Sequence, residues 1–233
     1  MSAAIEQRRA AATVAAGLVE PSMVVGLGTG RTATLFIEAL GARVKAESLT
    51  LPPAVPTSEA GAAAARAAGL AVADMMAADA PRHVDVAVDG ADEVDDALRL
   101  IKGGGGSLLR EKIVARIAQT FVVIVDAAKR VETLGRYPLP IEVVPFGWRA
   151  TAAAIEKAAG VEPVVREVEG RPLISDNHNL ILDCPLGSIP EPEALSQALH
   201  DIPGVVEHGL FLTEASTVLI GTPQGVDSIQ RTG

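Results

Sequence analysis

The chain has 233 residues, 48% of them hydrophobic, which is enough apolar material for one large domain or a domain with a small partner and excludes general disorder. The 20 basic and 29 acidic side chains give a net charge of −9, which argues against nucleic acid or an anionic membrane as the main partner. Cys184 is the single cysteine, so an intrachain disulfide and a cysteine-based zinc cluster are excluded, and a reducing, cytoplasmic location is expected.

Helices and strands alternate through the first half of the chain. A first helix follows from the alanine-rich run 10–19, and Phe121–Val125 is a continuous apolar run typical of a strand buried on both faces. Between them the pattern predicts a strand at 24–25, helices at 32–40 (ended by Gly41) and 59–68, a strand at 84–88 and a helix at 108–118. This alternation predicts an α/β fold with a Rossmann-like wound, mostly parallel sheet.

The pattern changes beyond Tyr137, where three prolines interrupt the chain. The predicted elements are a helix at 150–159, strands at 163–168 and 179–183 around a turn at Glu169-Gly170, and a helix at 192–200. This order suits a small α+β, ferredoxin-like module, and runs at 211–212 and 218–220 are expected to return to the large sheet. We therefore predict a large domain of residues 1–138 plus 209–233, with a small module inserted at 139–208.

Three loops carry the candidate chemistry, and each directly follows a predicted strand. Ligands bind beyond the carboxyl ends of the strands in a wound sheet, so we expect the loops to share one crevice. The first loop, GLGTGRTA at 26–33, has glycines that let the backbone come close to an anion, hydroxyl groups that can donate, and a helix that begins directly after it. This combination suits a bound phosphate. One alternative is a glycine-rich turn that only eases the packing of the helix on the sheet. The other is a dinucleotide-binding loop, since the segment from Gly28 loosely fits the pattern G-x-G-x-x-A. No acidic residue ends the expected second strand at 49–51, so a small phosphate ester is favoured over NAD.

The second loop is Asp89-Gly90-Ala91-Asp92-Glu93, placed after the strand Val-Asp-Val-Ala-Val. Carboxylates at Asp89 and Asp92 suit sugar hydroxyls, as acceptors or as acid–base groups. The alternatives are a solvated acidic turn, or a metal site that includes Asp95 and Asp96.

The third loop runs from Lys102 through four glycines to Ser107 and leads into a helix carrying Glu111. Four glycines cost conformational entropy and make most sense where the backbone lies against a ligand. Glu111 is expected off the buried stripe of that helix, which the spacing assigns to Leu109, Ile113 and Ile117. Alternatively, Glu111 is simply a favourable charge at a helix N-terminus and Lys102 a solvated lysine. A fourth candidate, Lys129, is either a second cation for a phosphate or a surface lysine.

Four segments in series resemble type A ribose-5-phosphate isomerase: GLGTGRTA at 26–33, VDGADEVD at 88–95, IKGGGGSLLREK at 101–112 and DAAKRVETLGRYPLPIEV at 126–143. The resemblance implies a Rossmann-like domain with a small lid, a homodimer or higher oligomer such as a tetramer, and a cytoplasmic enzyme of the pentose phosphate pathway. It implies interconversion of D-ribose 5-phosphate and D-ribulose 5-phosphate, with no metal or organic cofactor.

The resemblance also implies roles for individual residues. Glu111 is the expected general base, Lys102 stabilises the reacting oxygens, and Asp89 and Asp92 contact the sugar hydroxyls and assist ring opening. The substrate-binding residues implied are Thr29, Gly30, Arg31, Thr32, Asp89, Gly90, Ala91, Asp92, Lys102, Gly103, Gly104, Gly105 and Lys129. Arg31 stands where the family usually has serine, which leaves the phosphate contacts open, and His178 is expected to be a turn residue of the lid.

The chemistry suits these residues independently of the resemblance. An aldose–ketose isomerisation moves a proton between adjacent carbons through an enediolate, and a carboxylate whose pKa is raised toward neutrality can perform both transfers. Neither a hydride acceptor nor a metal is required. The alternatives are a non-catalytic sugar-phosphate sensor, an amino-sugar phosphate deaminase and a dinucleotide-dependent reductase.

Overall fold

The structure is a computed structural model that describes residues 3–231. It divides into two compact units, the first comprising Met1–Ala91, Arg110–Arg130 and Glu214–Gly233, and the second Asp92–Leu109 and Val131–Thr213. This division differs from the predicted one, because residues 92–109, 131–138 and 209–213 join the segment 139–208. Short strands in these flanking pieces pair with one another, as described below.

The helices and strands follow in chain order. The helices are α1 (Ala3–Gly17), α2 (Arg31–Glu47), α3 (Glu59–Ala67), α4 (Leu108–Ile117), α5 (Trp148–Ala159) and α6 (Pro192–His200). The strands are β1 (Val25–Leu27), β2 (Val55–Pro56), β3 (Val84–Asp89), β4 (Glu93–Val94), β5 (Leu100–Ile101), β6 (Ala118–Asp126), β7 (Leu139–Val143), β8 (Val164–Val165), β9 (Glu167–Val168), β10 (Arg171–Pro172), β11 (Leu180–Cys184), β12 (Val205–His208), β13 (Leu210–Phe211), β14 (Thr217–Thr222) and β15 (Gly225–Gln230).

The first unit is built on a six-stranded sheet in the order β15-β14-β6-β3-β1-β2. Every neighbouring pair is parallel except the edge pair β14–β15, which is antiparallel. This arrangement confirms the predicted α/β fold with a mostly parallel sheet, and the apolar run from Phe121 to Val125 is buried as expected. Among residues 3–231, no helix is both long and apolar enough to cross a membrane.

Two local predictions in the first unit are wrong. Gly41 does not end the second helix, since α2 continues to Glu47 and Gly41 is buried within it. A Cβ at Gly41 would lie 2.5 Å from the carbonyl oxygen of Ala68, so this glycine permits the close approach of the segment that ends α3. The second strand is Val55–Pro56 rather than 49–51.

The second unit contains a four-stranded antiparallel sheet in the order β12-β7-β11-β8. With α5 and α6 it has the β-α-β-β-α-β order of a ferredoxin-like module, as the sequence predicts. The predicted strand at 163–168 is divided into β8 and β9, and the turn at Glu169-Gly170 adopts positive φ at both residues, 53° and 74°.

A three-stranded sheet in the order β13-β5-β4 completes the second unit. The expectation that residues 211–212 return to the large sheet is wrong, because Leu210 and Phe211 pair with β5. Two-residue strands carry too little pattern for the sequence to assign them to a sheet.

Candidate active site

The loop between β1 and α2 lies against the end of β3. The backbone N–H of Thr29 donates to Asp89 Oδ1 at 3.1 Å. Gly28 is essential to this approach, since a Cβ built there would overlap the Asp89 carboxyl group. The structure therefore brings the first two predicted loops together, as expected for loops that follow adjacent parallel strands.

Two hydroxyl residues that the sequence analysis missed extend this loop. Thr29 Oγ1 lies 2.8 Å from both Thr57 Oγ1 and Ser58 Oγ. Ser58 is also the N-cap of α3, where its hydroxyl oxygen accepts from the N–H of Gly61 at 2.9 Å. The only sequence signal for Ser58 was its position immediately before the predicted helix at 59–68.

The loop leads directly into the first turn of α2. Gly30 precedes the helix with φ of 91°, Arg31 is exposed, and Thr32 is half-buried. A helix N-terminus presents backbone N–H groups and the positive end of its dipole, which favour a bound anion.

Asp89 is a buried carboxylate at the end of β3. Its Oδ1 also accepts from the N–H of Gly90 at 2.7 Å. A buried Asp89 that accepts from Thr29 and Gly90 is incompatible with the solvated acidic turn that the sequence left open at this position.

The second unit contains the glycine loop, together with Asp92 and Lys102. Asp92 Oδ2 accepts from the N–H of Gly104 at 2.8 Å, and a Cβ at Gly104 would lie 2.6 Å from Asp92 Oδ1 and 2.8 Å from the hydroxyl of Tyr137. The expectation that the glycine loop follows a strand of the large parallel sheet is wrong, because β5 belongs to the small antiparallel sheet.

Lys102 is only 2% exposed, so its alternative interpretation as a solvated lysine is wrong. Its ammonium Nζ lies 5.4 Å from the centre of the Phe211 ring, within the range of a cation–π interaction. Its backbone N–H donates to the carbonyl oxygen of Gly209 at 2.9 Å. The cation is therefore held by β5 and its partner strand.

Arg166 holds the glycine loop, and the sequence analysis did not identify it. Its Nη1 donates to the carbonyl oxygens of Gly103 at 2.7 Å and Gly104 at 3.0 Å, and its Nε donates to Asp183 Oδ2 at 2.8 Å. Burial alone would lower the pKa of Arg166, but the hydrogen bond and charge of Asp183 outweigh it and raise that pKa. Arg166 lies between two short strands, and nothing in the sequence indicates that it contacts a loop some sixty residues earlier.

Tyr137 lies beside the same loop. Burial raises the pKa of its phenol and the negative charge of Asp92 adds to the rise, while the positive charge of Arg166 opposes it. This pattern indicates that Asp92 and Arg166 both act electrostatically at the position of the Tyr137 hydroxyl.

Glu111 lies in the first turn of α4 and is 4% exposed. The predicted buried stripe of this helix is wrong, since Ile113 is 49% exposed and Lys112 is buried. A spacing of four residues identifies one face of a helix, but it does not say which face the fold covers. In α4 the covered face carries charged side chains, an arrangement common at functional sites.

The acidic residues after Asp92 have local roles. Asp95 Oδ1 accepts from the N–H groups of Ala97 and Arg99, and Asp95 Oδ2 accepts from the Arg99 guanidinium at 2.7 Å. Glu93 accepts from the N–H groups of Gly135 and Tyr137. Carboxylates that accept from this many donors are poorly suited to the metal site that the sequence left open.

Lys129 ends a short 3₁₀ turn, Ala127–Lys129, and is half-buried. Asp126 caps this turn by accepting from the N–H of Ala128 and also accepts from Arg8 Nε at 2.8 Å. His178 is exposed with φ of 63°, as expected for a turn residue.

Comparison with known proteins decides the family. The family of ribose 5-phosphate isomerase A (phosphoriboisomerase A) matches residues 53–225. The ribose-5-phosphate isomerase A of Parvibaculum lavamentivorans is 47% identical over 97% of this chain and 98% of its own length. The chain belongs to the ribose 5-phosphate isomerase A family.

Further relatives agree in sequence and in fold. The isomerase A of Methylorubrum extorquens is 50% identical over 94% of this chain and 93% of its own. The solved structure of ribose 5-phosphate isomerase A from Methanocaldococcus jannaschii is 40% identical with a TM-score of 0.89, covering 97% and 98% of the two chains. A D-ribose-5-phosphate isomerase in complex with phospho-erythronic acid is 38% identical with a TM-score of 0.92, covering 99% and 100%.

Proposed function

We propose that this chain interconverts D-ribose 5-phosphate and D-ribulose 5-phosphate through an enediolate intermediate. The observation that carries the proposal is the family match over residues 53–225, within which Asp89, Lys102 and Glu111 are all buried. Buried charged groups are costly unless they serve a purpose, and here they are the groups that the reaction requires.

The phosphate end of the substrate is assigned to residues 29–32 and Lys129. The N–H groups at the start of α2 and the hydroxyls of Thr29 and Thr32 donate to phosphate oxygens, and Lys129 supplies positive charge. Arg31, where the family usually has serine, adds a second cation. Binding energy from this unreactive end holds the carbon chain in position for proton transfer.

Asp89 and Asp92 are assigned to the sugar hydroxyls, which they bind as hydrogen-bond acceptors and from which they can take a proton during ring opening. The backbone N–H of Ala91 completes these contacts, while that of Gly90 holds the Asp89 carboxylate. Support comes from the fixed position of each carboxylate, since Asp89 accepts from the N–H of Thr29 and Asp92 from that of Gly104.

Glu111 is the proposed base, which removes the proton from C2 of the open-chain aldose and returns it to C1. The negative charge that develops on the enediolate oxygens is stabilised by Lys102 and by the backbone N–H groups of Gly103 and Gly105, while that of Gly104 holds Asp92. A preorganised donor of this kind typically contributes about 3 kcal/mol to the transition state.

The complex of a relative with phospho-erythronic acid supports this assignment. A phosphorylated sugar acid combines a phosphate with a planar carboxylate, and the carboxylate has the shape and charge of an enediolate. A site that binds both features is suited to the proposed intermediate.

A coupled assay with ribose 5-phosphate, run with a chelating agent, tests the proposal. We expect isomerisation to persist with the chelator, and Glu111→Gln to lower kcat by about 1,000-fold while ribose 5-phosphate still binds in calorimetry. Glu132→Gln, which changes an exposed carboxylate, is the matched control and keeps full activity. Full activity of Glu111→Gln, or loss of activity with the chelator, contradicts the mechanism.

Two alternative functions, an amino-sugar phosphate deaminase and a dinucleotide-dependent reductase, are tested by separate measurements. Release of ammonia from glucosamine 6-phosphate at a rate comparable to pentose isomerisation would favour a deaminase, and binding of NAD(P)H would favour a reductase. A homo-oligomer, dimer or tetramer, in the cytoplasm is part of the proposal, and light scattering on the purified chain measures its size.

A further inference from the structure

A cluster of three metal-ligating side chains lies in the second unit, and the proposed isomerisation does not use it. His200 is the last residue of α6, and Glu207 and His208 are the last two residues of β12. One ligand atom from each of the three lies within 4.8 Å of the other two. His200 Nε2 is 3.0 Å from Glu207 Oε1, and His208 Nδ1 is 3.9 Å from the same oxygen.

These separations suit a transition metal ion. Zinc binds imidazole nitrogen and carboxylate oxygen at about 2.0–2.2 Å, so two ligands of a tetrahedral ion lie roughly 3.4 Å apart. The observed 3.0 Å and 3.9 Å lie on either side of that value. Imidazole favours zinc, copper, iron and nickel, whereas magnesium and calcium prefer oxygen ligands alone.

The hydrogen bonds of His208 prepare its Nδ1 for coordination. The Nε2 atom lies 3.0 Å from the hydroxyl of Ser196, and Nδ1 accepts from the N–H of Leu210 at 3.3 Å. Because Nδ1 is an acceptor, the ring proton resides on Nε2, and the metal requires this tautomer for binding through Nδ1. At 3.3 Å this bond is long for an N–H donor.

The exposure of the three side chains provides a route of entry. His208 is 1% exposed, Glu207 13% and His200 40%, so an ion reaches the cluster from the His200 side. The centres of the two imidazole rings are only 4.4 Å apart, which brings both rings within reach of one ion.

We propose that His200, Glu207 and His208 bind a divalent transition metal ion of the zinc class. The ion joins the end of α6 to the end of β12 and so stabilises the second unit. None of the three side chains is among the groups assigned to isomerisation, so the site is compatible with activity that persists in a chelating agent.

Cobalt and zinc ions are the probes for this site. The full chain is stripped with a chelator, titrated with Co²⁺ while visible absorption is recorded, and titrated with Zn²⁺ by calorimetry. We expect one ion per chain, a rise in melting temperature with Zn²⁺, and affinity at least about 10-fold lower in His200→Ala and Glu207→Gln. His178→Ala, which removes an exposed imidazole from a turn in the same unit, is the matched control and binds as the parent does.

Two results overturn the proposal. One is zinc affinity in His200→Ala equal to that of the parent chain, which would indicate binding elsewhere. The other is no binding by the parent chain at zinc concentrations that saturate ordinary protein sites. The isomerase assay with chelator is independent of both results, so a failure here leaves the proposed function unaffected.

Discussion

Gly28 is the residue on which the contact between the first two loops depends. It has no space for a side chain, because its missing Cβ position is filled by the Asp89 carboxyl group. The same carboxylate accepts from the N–H groups of Thr29 and Gly90. Asp89 therefore has one position, set by backbone rather than by a flexible partner.

We expect Gly28→Ala to lower kcat/KM by about 100-fold, because the methyl group displaces Asp89 by roughly an ångström. Gly17→Ala, at the end of α1 where a Cβ meets nothing within 4 Å, is the control and keeps the parent activity. Steady-state kinetics with far-UV circular dichroism distinguish this effect from unfolding. Equal kcat/KM in Gly28→Ala and the parent would show that the position of Asp89 is unimportant.

Tyr137 reports on the charges around the glycine loop, and it is the only tyrosine in the chain. Its pKa is raised by burial and by Asp92 and lowered by Arg166. Removing the negative charge in Asp92→Asn is therefore expected to lower the Tyr137 pKa toward its ordinary value. Removing the positive charge in Arg166→Gln is expected to raise it further.

An absorbance titration of phenolate at alkaline pH measures both shifts directly. Asp96→Asn changes an exposed carboxylate that is not among the groups acting on Tyr137, and we expect it to leave the midpoint unchanged. A midpoint that moves in the same direction in Asp92→Asn and Arg166→Gln would contradict the arrangement.

At the scale of elements, the four glycines of the loop allow many backbone conformations, but contacts with neighbouring side chains hold the loop in one of them. Four successive glycines lose much conformational entropy when ordered. Arg166 offsets this cost by donating to two loop carbonyl oxygens, and Asp92 contributes by accepting from Gly104. Arg166 thus acts as a positioning residue for a loop that lies far from it in the sequence.

We expect Arg166→Gln to reduce kcat by about 10-fold or more with a smaller change in KM, because donors misplaced in the loop weaken the transition state most. Arg171→Gln removes an exposed arginine from β10 and is the matched control. An Arg166→Gln enzyme with unchanged kcat would show that the loop keeps its position without this side chain.

Elements differ in how well their sequence defines them. The helix Pro192–His200 occurs at the predicted residues, because its proline start and apolar spacing are both local signals. The prediction that Gly41 ends a helix is wrong, because a glycine at a close contact between segments has the same sequence pattern as one that ends a helix. Ile113 of α4 was predicted to be buried and is exposed, because periodicity alone does not orient a helix.

At the scale of the whole molecule, each unit has its own apolar core. Cys184 lies in the core of the second unit, where burial, together with the charge of Asp183, raises the pKa of its thiol to about 12. A raised pKa means that the folded state keeps a proton that the unfolded state releases above about pH 9. The corresponding free energy of unfolding is fully present below that pH and is lost as the pH rises toward 12.

The free energy of unfolding is expected to fall more steeply with rising alkaline pH in the parent chain than in Cys184→Ala. The alanine variant is less stable overall because it leaves a small cavity, so the pH slope rather than the absolute value is compared. Denaturant titrations at several alkaline pH values measure the slope of the free energy of unfolding against pH. In a second measurement, we expect the thiol of the native chain to resist alkylation by iodoacetamide. Parallel slopes in the two proteins would refute a buried, protonated thiol.

Local composition and periodicity were enough to predict the class of fold, the β-α alternation of the large sheet and the ferredoxin-like order at 139–208. Resemblance across four motifs in series was enough to predict the family. The folded structure was needed to show that Arg166 holds the glycine loop, that Thr57 and Ser58 reach Thr29, and that residues 92–109 pack with the second unit. Such contacts join residues distant in the chain, and the packing that selects them leaves no trace in the order of neighbouring residues.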